Sequence, residues 1–186
     1  MHSSSVRGVT LVLGGVRSGK SRYALQLAAQ ARSVTFLATA EHRDDEEMQR
    51  KIDRHRAERP QHWTTIEEPL NLGSVIGSIS QSELIVVDCL TLYAGKLLEV
   101  HGKDPSSMAA NIDALCTALS DRPCSVVLVS NEVGSGIVPQ FELGRRYRDL
   151  LGEINQRVAA IADHVVLMVA GLPLALKNSS AEEASI

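Results

Sequence analysis

The residues of this chain best suited to chemistry form a glycine-rich run near the N-terminus, Gly14-Gly15-Val16-Arg17-Ser18-Gly19-Lys20-Ser21. The run matches G-x-x-x-x-G-K-[S/T], the spacing of a loop whose backbone N–H groups surround phosphates. In such a loop the lysine, here Lys20, reaches the terminal phosphates, and the hydroxyl group, here Ser21, is a ligand for Mg²⁺. The run therefore predicts a site for a nucleoside triphosphate.

The segments on either side have the patterns that such a loop needs. Residues 9–13 are a short apolar run, which predicts a buried strand before the loop. Residues 20–32 carry apolar side chains at helical spacing, which predicts a helix after it. A helix that begins at the loop directs its N–H groups and the positive end of its dipole toward a bound anion.

The rest of the chain alternates between strand-like and helical segments. Apolar runs rich in β-branched residues predict further strands at 34–39, 84–89, 125–130 and 164–169, and helical patterns occupy 44–58, 69–79, 106–119 and 142–162. This alternation predicts an α/β fold with helices on both faces of a mainly parallel sheet. Residues 101–107 are expected to be a polar connector. We expect one domain over 1–186, with 1–7 and 178–186 flexible.

Ligands of such sheets bind at the carboxyl ends of the strands. The sequence predicts that two acidic residues, Asp88 and Glu132, lie at this edge. Asp88 ends the apolar run 84–87, in the manner of the acid that orients Mg²⁺ in phosphate-loop proteins; a carboxylate that caps a turn is the alternative. Glu132 follows the strand 125–130 at the same edge. It could act as a general base, help to hold the metal, or be a solvated loop residue.

A third candidate for chemistry is His55, which lies in the predicted helix 44–58. Its neighbours Arg54, Arg56 and Arg59 disfavour a charged imidazolium and could hold phosphates. A neutral histidine in this setting is suited to attack on phosphorus. A histidine packed on an apolar helix face is the alternative.

Composition excludes several classes of function. Hydrophobic residues make up 44% of the 186 residues and charged residues 22%, as in a globular protein, and the net charge is −3. With no long basic run, nonspecific binding to nucleic acid or to a membrane surface is not expected. Cys89, Cys116 and Cys124 lack the spacing of a metal site or a disulfide framework, and no signal or membrane-spanning segment is apparent. These features predict a cytoplasmic protein without a membrane span.

Taken in order, the motifs resemble one family in particular. They occupy residues 14–22, 38–40, 52–60, 63–69, 87–91 and 129–139. Together they resemble the bifunctional adenosylcobinamide kinase / adenosylcobinamide-phosphate guanylyltransferase family of cobalamin biosynthesis, over residues 10 to about 176. Val16 stands where alanine is common in that family, a mild departure.

The resemblance implies two reactions at one site. The first phosphorylates adenosylcobinamide with ATP or GTP, and the second transfers GMP from GTP to the resulting phosphate through a GMP-histidine intermediate, which places the histidine at His55. It also implies a RecA-like phosphate-loop fold of three layers and a homotrimer. Lys20 and His55 would be catalytic, and Ser21 and Asp88 would hold Mg²⁺. The nucleotide would contact Gly14, Gly15, Val16, Arg17, Ser18, Gly19, Lys20, Ser21, Ala38, Thr39, Ala40, Arg56, Ala57, Glu58, Arg59, Glu67 and Asp88.

Overall fold

A computed structural model describes residues 8–40 and 59–179 of the chain. The predicted helix 44–58, with His55, Arg56, Ala57 and Glu58, lies outside the described residues. In chain order, the elements are β1 Val9–Gly14, α1 Lys20–Ala28, β2 Val34–Ala38, β3 Thr64–Glu67, α2 Leu72–Ser78, β4 Leu84–Asp88, α3 Leu90–His101, α4 Pro105–Ser120, β5 Ser125–Val129, α5 Glu142–Ile161, β6 His164–Val169 and β7 Leu172–Asn178.

The strands form one sheet in the order β3-β2-β4-β5-β1-β6-β7. All neighbouring strands are parallel except β6 and β7, which are antiparallel. Every residue of β1 and of β2 is buried, as expected of strands covered on both faces. The predicted α/β fold with a mainly parallel sheet is therefore confirmed.

Two apolar clusters pack against the two faces of the sheet. The larger cluster joins side chains of β1, β4 and β5 to those of α2, α3, α4 and α5, with Tyr93 and Ile154 among its fully buried members. The smaller cluster packs α1 through Ala24 and Ala28 onto the other face, and it includes Trp63, whose exposure is 7%. The burial of the only tryptophan indicates an anchoring role in this core.

Helix α3 was not predicted from the sequence, and the predicted connector at 101–107 is wrong. The buried residues of α3 follow a helical spacing: Leu90, Tyr93, Ala94 and Leu97. The sequence therefore contains the apolar period that indicates this helix. Because α3 extends to His101 and α4 begins at Pro105, the connector is only 102–104.

Asp104, in this connector, caps α4 by accepting hydrogen bonds from Ser106 N and Ser107 N at 3.1 and 3.3 Å. Hydrogen bonds from Ser106 and Ser107 lower the pKa of Asp104 to about 2.

Strand β7 was also missed. It follows β6 through a two-residue turn in which Ala170 and Gly171 have φ of 52° and 83°, the signs of a type I′ turn. All residues of β7 are exposed, so none belongs to the buried core, although Leu172, Leu174 and Leu176 alternate along the sequence as in a strand. Among the described residues, no helix is long and apolar enough to cross a membrane.

Candidate nucleotide-binding site

The glycine-rich run forms the loop between β1 and α1, and two of its glycines are required by the backbone. A Cβ atom at Gly14, whose φ is 153°, would lie 2.6 Å from both Met168 O and Ser18 Oγ. Gly19 has φ of 97° at the N-cap of α1, a conformation that L side chains rarely adopt. Because Gly19 has no side chain to cover the helix end, the first N–H groups of α1 can bind an anion.

Lys20 lies between this loop and the end of β4. Its side chain is only 8% exposed, and Nζ donates a hydrogen bond to Gly15 O at 2.6 Å. Burial lowers the pKa of the Lys20 ammonium, while electrostatic interactions with Cys89 and with the Asp88 carboxylate act in the opposite direction. The structure thus brings Lys20, at the start of α1, close to Asp88, at the end of β4.

The strand ends align three of the predicted site residues in one row. Ala38 of β2 pairs with Glu67 of β3 on one side and with Asp88 of β4 on the other. Because the strands are parallel, this row lies at the carboxyl edge that also carries the phosphate loop. The Asp88 carboxylate and the Ser21 hydroxyl provide the oxygen ligands that Mg²⁺ prefers, so the donor set fits that ion.

Thr39 joins the end of β2 to the end of β4 by hydrogen bonds. Its side chain is 2% exposed, and Oγ1 accepts a hydrogen bond from Cys89 N at 2.7 Å while donating one to Cys89 O at 2.8 Å. Thr39 N also donates to Asp88 O at 3.2 Å. The threonine hydroxyl therefore holds the residue that follows Asp88.

The structure also describes three other predicted residues. Val16, at the tip of the loop, is 82% exposed, and Arg17 beside it has φ of 56°. The Arg59 guanidinium lies 3.5 Å from the centroid of the Phe36 ring, in a cation–π contact. Arg59 is therefore held close to β2.

Glu132 is exposed in the loop after β5. Its N–H donates to Gly14 O at 3.1 Å, and its Oε1 accepts a hydrogen bond from Gly134 N at 2.6 Å. These contacts order the glutamate's own loop and hold it beside Gly14 of the phosphate loop.

Two further features support the site, and sequence reasoning did not find their contacts. Gly171 N, in the turn between β6 and β7, donates a hydrogen bond to Ser18 O at 3.0 Å. The hairpin of β6 and β7 therefore contacts and stabilises the phosphate loop. Asn155 of α5 bonds through Oδ1 to Ser130 Oγ at 2.6 Å and donates from Nδ2 to Asn131 O at 3.0 Å. An asparagine inside the apolar stripe of a helix was the available signal for this buried network.

A cavity of about 840 Å³ opens beside the carboxyl edge of the sheet. Its walls come from the end of β2, from α3 and from the segment that leads into α5, and they include Thr39, Ala40, Thr91, Phe141, Leu143 and Tyr147. Thr91 is fixed by its neighbours, because its Oγ1 accepts from Asn131 N at 3.0 Å and its carbonyl accepts from Tyr147 Oη at 3.2 Å.

The glycine loop lies between a strand and a helix, and its Lys20 lies near Asp88, at the end of a strand two places away in the sheet. This arrangement defines a phosphate-loop nucleotide-binding protein of the α/β class. Solved structures agree with this fold. An ATPase from the type III secretion system of pathogenic bacteria matches with a TM-score of 0.54 and 13% identity, over 96% of this chain and 54% of that one. The ATPase EscN from the enteropathogenic E. coli type III secretion system matches with a TM-score of 0.52 and 14% identity, over 96% of this chain and 45% of that one.

Sequence comparison defines the family within this class. The model of the cobinamide kinase / cobinamide phosphate guanyltransferase family matches residues 10–176, and the chain belongs to that family. It is 46% identical to the bifunctional adenosylcobalamin biosynthesis protein CobP of Pseudomonas aeruginosa, over 90% of this chain and 96% of the relative. It is 40% identical to the corresponding protein CobU of Escherichia coli, over 90% and 98%. The predicted family, enzyme class and role in cobalamin biosynthesis are confirmed.

Proposed function

We propose that the chain catalyses two successive reactions on one acceptor. In the first, the hydroxyl group of adenosylcobinamide is phosphorylated with ATP or GTP as the donor. In the second, GMP passes from GTP to that phosphate, giving adenosylcobinamide-GDP and pyrophosphate. The observation that carries the proposal is the placement of Lys20 between the phosphate loop and Asp88, in a chain that belongs to this family.

The first reaction depends on the groups around the phosphate loop. The N–H groups at the start of α1 and the Lys20 ammonium would bind the phosphates and stabilise the charge that develops on the transferred group. Ser21 and Asp88 would hold Mg²⁺, which neutralises charge on the phosphate oxygens. The acceptor hydroxyl attacks the γ-phosphorus, loses its proton, and displaces the nucleoside diphosphate.

The second reaction would proceed through His55. A nitrogen of its neutral imidazole attacks the α-phosphorus of GTP, so that an N–P bond forms and the bond to pyrophosphate breaks. A phosphate oxygen of the acceptor then attacks the same phosphorus and breaks the N–P bond, which releases the imidazole. Arg56 to Arg59 would bind the guanine nucleotide during both steps. The covalent intermediate thus replaces one difficult displacement at phosphorus by two easier ones.

A labelling experiment separates the two reactions. Protein incubated with Mg²⁺ and GTP labelled at the α-phosphorus should retain label that is stable to base and labile to acid, as a phosphoramidate is. The variant His55→Asn should retain none, yet it should still phosphorylate adenosylcobinamide with ATP. Undiminished label on the variant would overturn the role of His55, and loss of the kinase reaction as well would show that the residue serves both steps.

The same proposal extends to assembly and location. We expect a homotrimer in the cytoplasm, with the nucleotide and the corrinoid as its small-molecule ligands and no nucleic-acid partner. Light scattering coupled to size-exclusion chromatography measures the mass of the assembly directly.

A further inference from the structure

The 840 Å³ cavity lies against the proposed phosphate-transfer site but extends away from it. Thr39, on its wall, bonds to Cys89 next to Asp88, and Thr91, also on its wall, is three residues beyond Asp88. A ligand in the cavity would therefore have one end close to the phosphates. Lys20 and the phosphate-loop residues do not line it, so the cavity is separate from the phosphate cradle.

The walls of the cavity are mostly apolar, and part of their apolar surface is exposed. Leu92 and Leu98 line the α3 side, while Phe141 and Leu143 line the α5 side. Phe141 is 76% exposed and Leu143 is 65% exposed, whereas the apolar residues Leu150, Leu151, Ile154 and Val158 further along α5 are buried. Large apolar side chains gathered around an open cavity are typical of a ligand-binding surface.

Polar side chains also line this surface. Thr91 and Tyr147 belong to the wall, as do Lys96 and Glu99 of α3, whose Nζ and Oε2 atoms lie 3.7 Å apart in an ion pair. The cavity therefore suits a wide ligand whose flat faces are apolar and whose edge carries hydrogen-bonding groups.

We propose that this cavity binds the corrin ring of the acceptor, a macrocycle with a hydrocarbon framework and amide side chains around its edge. The inference rests on the proposed function, which makes a corrinoid the acceptor. The apolar residues of α3 and α5 would cover part of the ring, and the polar residues of the wall would bind the amides. The arm that carries the reacting hydroxyl would then extend past Thr39 toward Asp88 and the phosphate loop.

The volume supports a ligand of this kind. Pockets that bury most of a drug-sized molecule measure roughly 300–1,000 Å³, and this cavity lies in the upper part of that range while remaining open to solvent. A ring that projects partly from the opening would be held by one face and one edge. The alternative occupant is the base of the nucleotide, because Thr39 and Ala40 are on the wall, and the experiment below distinguishes the two.

Gly95 offers a variant that fills the cavity without disturbing the fold. It lies within α3 and on the cavity wall, and a Cβ atom added there meets no atom within 4 Å. Gly95→Leu should therefore place a side chain in the cavity and also favour the helix. Gly152→Leu is the matched control, because Gly152 lies within α5, its added Cβ also meets no atom within 4 Å, and it does not line the cavity.

The measurement is the steady-state kinetics of cobinamide phosphorylation with ATP, together with equilibrium binding of cobinamide. Gly95→Leu should raise the KM and the Kd for cobinamide about tenfold or more, with the KM for ATP changed less than twofold and the melting temperature not lowered. Gly95→Ala should give a smaller rise, and Gly152→Leu should match the wild type.

Three results would overturn the assignment or its basis, and they are distinguishable. An unchanged KM for cobinamide in Gly95→Leu, with an active wild-type enzyme, refutes the corrin site alone. A raised KM for ATP with unchanged cobinamide binding assigns the cavity to the nucleotide base. A wild-type protein that neither binds nor phosphorylates cobinamide refutes the proposed function itself.

Discussion

Replacement of Thr39 by valine tests whether one hydroxyl group joins β2 to the Asp88 segment. Valine has nearly the shape of threonine, so Thr39→Val removes the two hydrogen bonds to Cys89 without opening a cavity. Cys89 N then lies buried without that acceptor, which costs about 1–3 kcal/mol, and Cys89 O loses a donor, which costs about 0.5–1.5 kcal/mol. The sum, about 1.5–4.5 kcal/mol, is a large part of the stability of a typical domain.

The assay is thermal unfolding combined with the Mg²⁺ dependence of both reactions. For a chain of this size, 1 kcal/mol corresponds to roughly 2–4 °C, so the melting temperature of Thr39→Val should fall by roughly 3–18 °C. Because Cys89 follows Asp88, a looser segment should also raise the Mg²⁺ concentration needed for half-maximal activity. Thr39→Ser keeps the hydroxyl group and should retain most of both properties.

Comparison of the two variants decides the question. If Thr39→Val is no less stable than Thr39→Ser and has the same Mg²⁺ requirement, the two hydrogen bonds do not position Asp88. The role assigned to Thr39 would then be wrong, whatever the total loss of stability.

Two other predictions concern the helices that frame the site. An added Cβ at Gly73 of α2 would lie 2.5 Å from Ala114 C and O in α4, so Gly73→Ala should lower the free energy of unfolding by about 1–3 kcal/mol. Gly77→Ala in the same helix, with open space around its Cβ, should instead raise it by about 0.5–1 kcal/mol. Equal effects of the two substitutions in urea unfolding would contradict the close approach of α2 and α4. The carboxylate of Asp104 has its pKa lowered from 3.8 to about 2 in the folded protein, so it stabilises the fold fully above pH 4 and less as the pH falls toward 2. The stability difference between wild type and Asp104→Asn, an uncharged cap, should be constant above pH 5 and shift against the wild type between pH 4 and pH 2; a difference that does not change with pH would refute the lowered pKa.

The parts of the site that depend on the chain order of motifs were predictable from the sequence. Gly14, Lys20 and Asp88 each follow or end an apolar run, and the rule that parallel strands gather their carboxyl ends at one edge was enough to bring them together. The row that joins Glu67, Ala38 and Asp88 follows from the same rule once the strand order is known.

Contacts that depend on the lateral order of the strands were not predictable. The pairing of Thr39 with Cys89 requires β2 to lie beside β4, and 50 residues separate the two partners. The contact of Gly171 with Ser18 requires a hairpin whose second strand has no buried face. Helix α3 differs from these cases, since its buried positions follow a helical period that the sequence alone displays.

The position of β5 between β1 and β4 has a consequence for an enzyme with two reactions. Adjacent strands are about 4.8 Å apart, so the strands β1 and β4, which carry the phosphate loop and Asp88 at their ends, are separated by two such steps, roughly 10 Å, spanned by continuous backbone hydrogen bonds. That distance cannot change without breaking the centre of the sheet. In the proposed cycle the attack moves from the γ-phosphorus to the α-phosphorus, a displacement along the triphosphate. The nucleotide must therefore shift along a fixed frame, or the attacking groups must approach from elements outside the sheet.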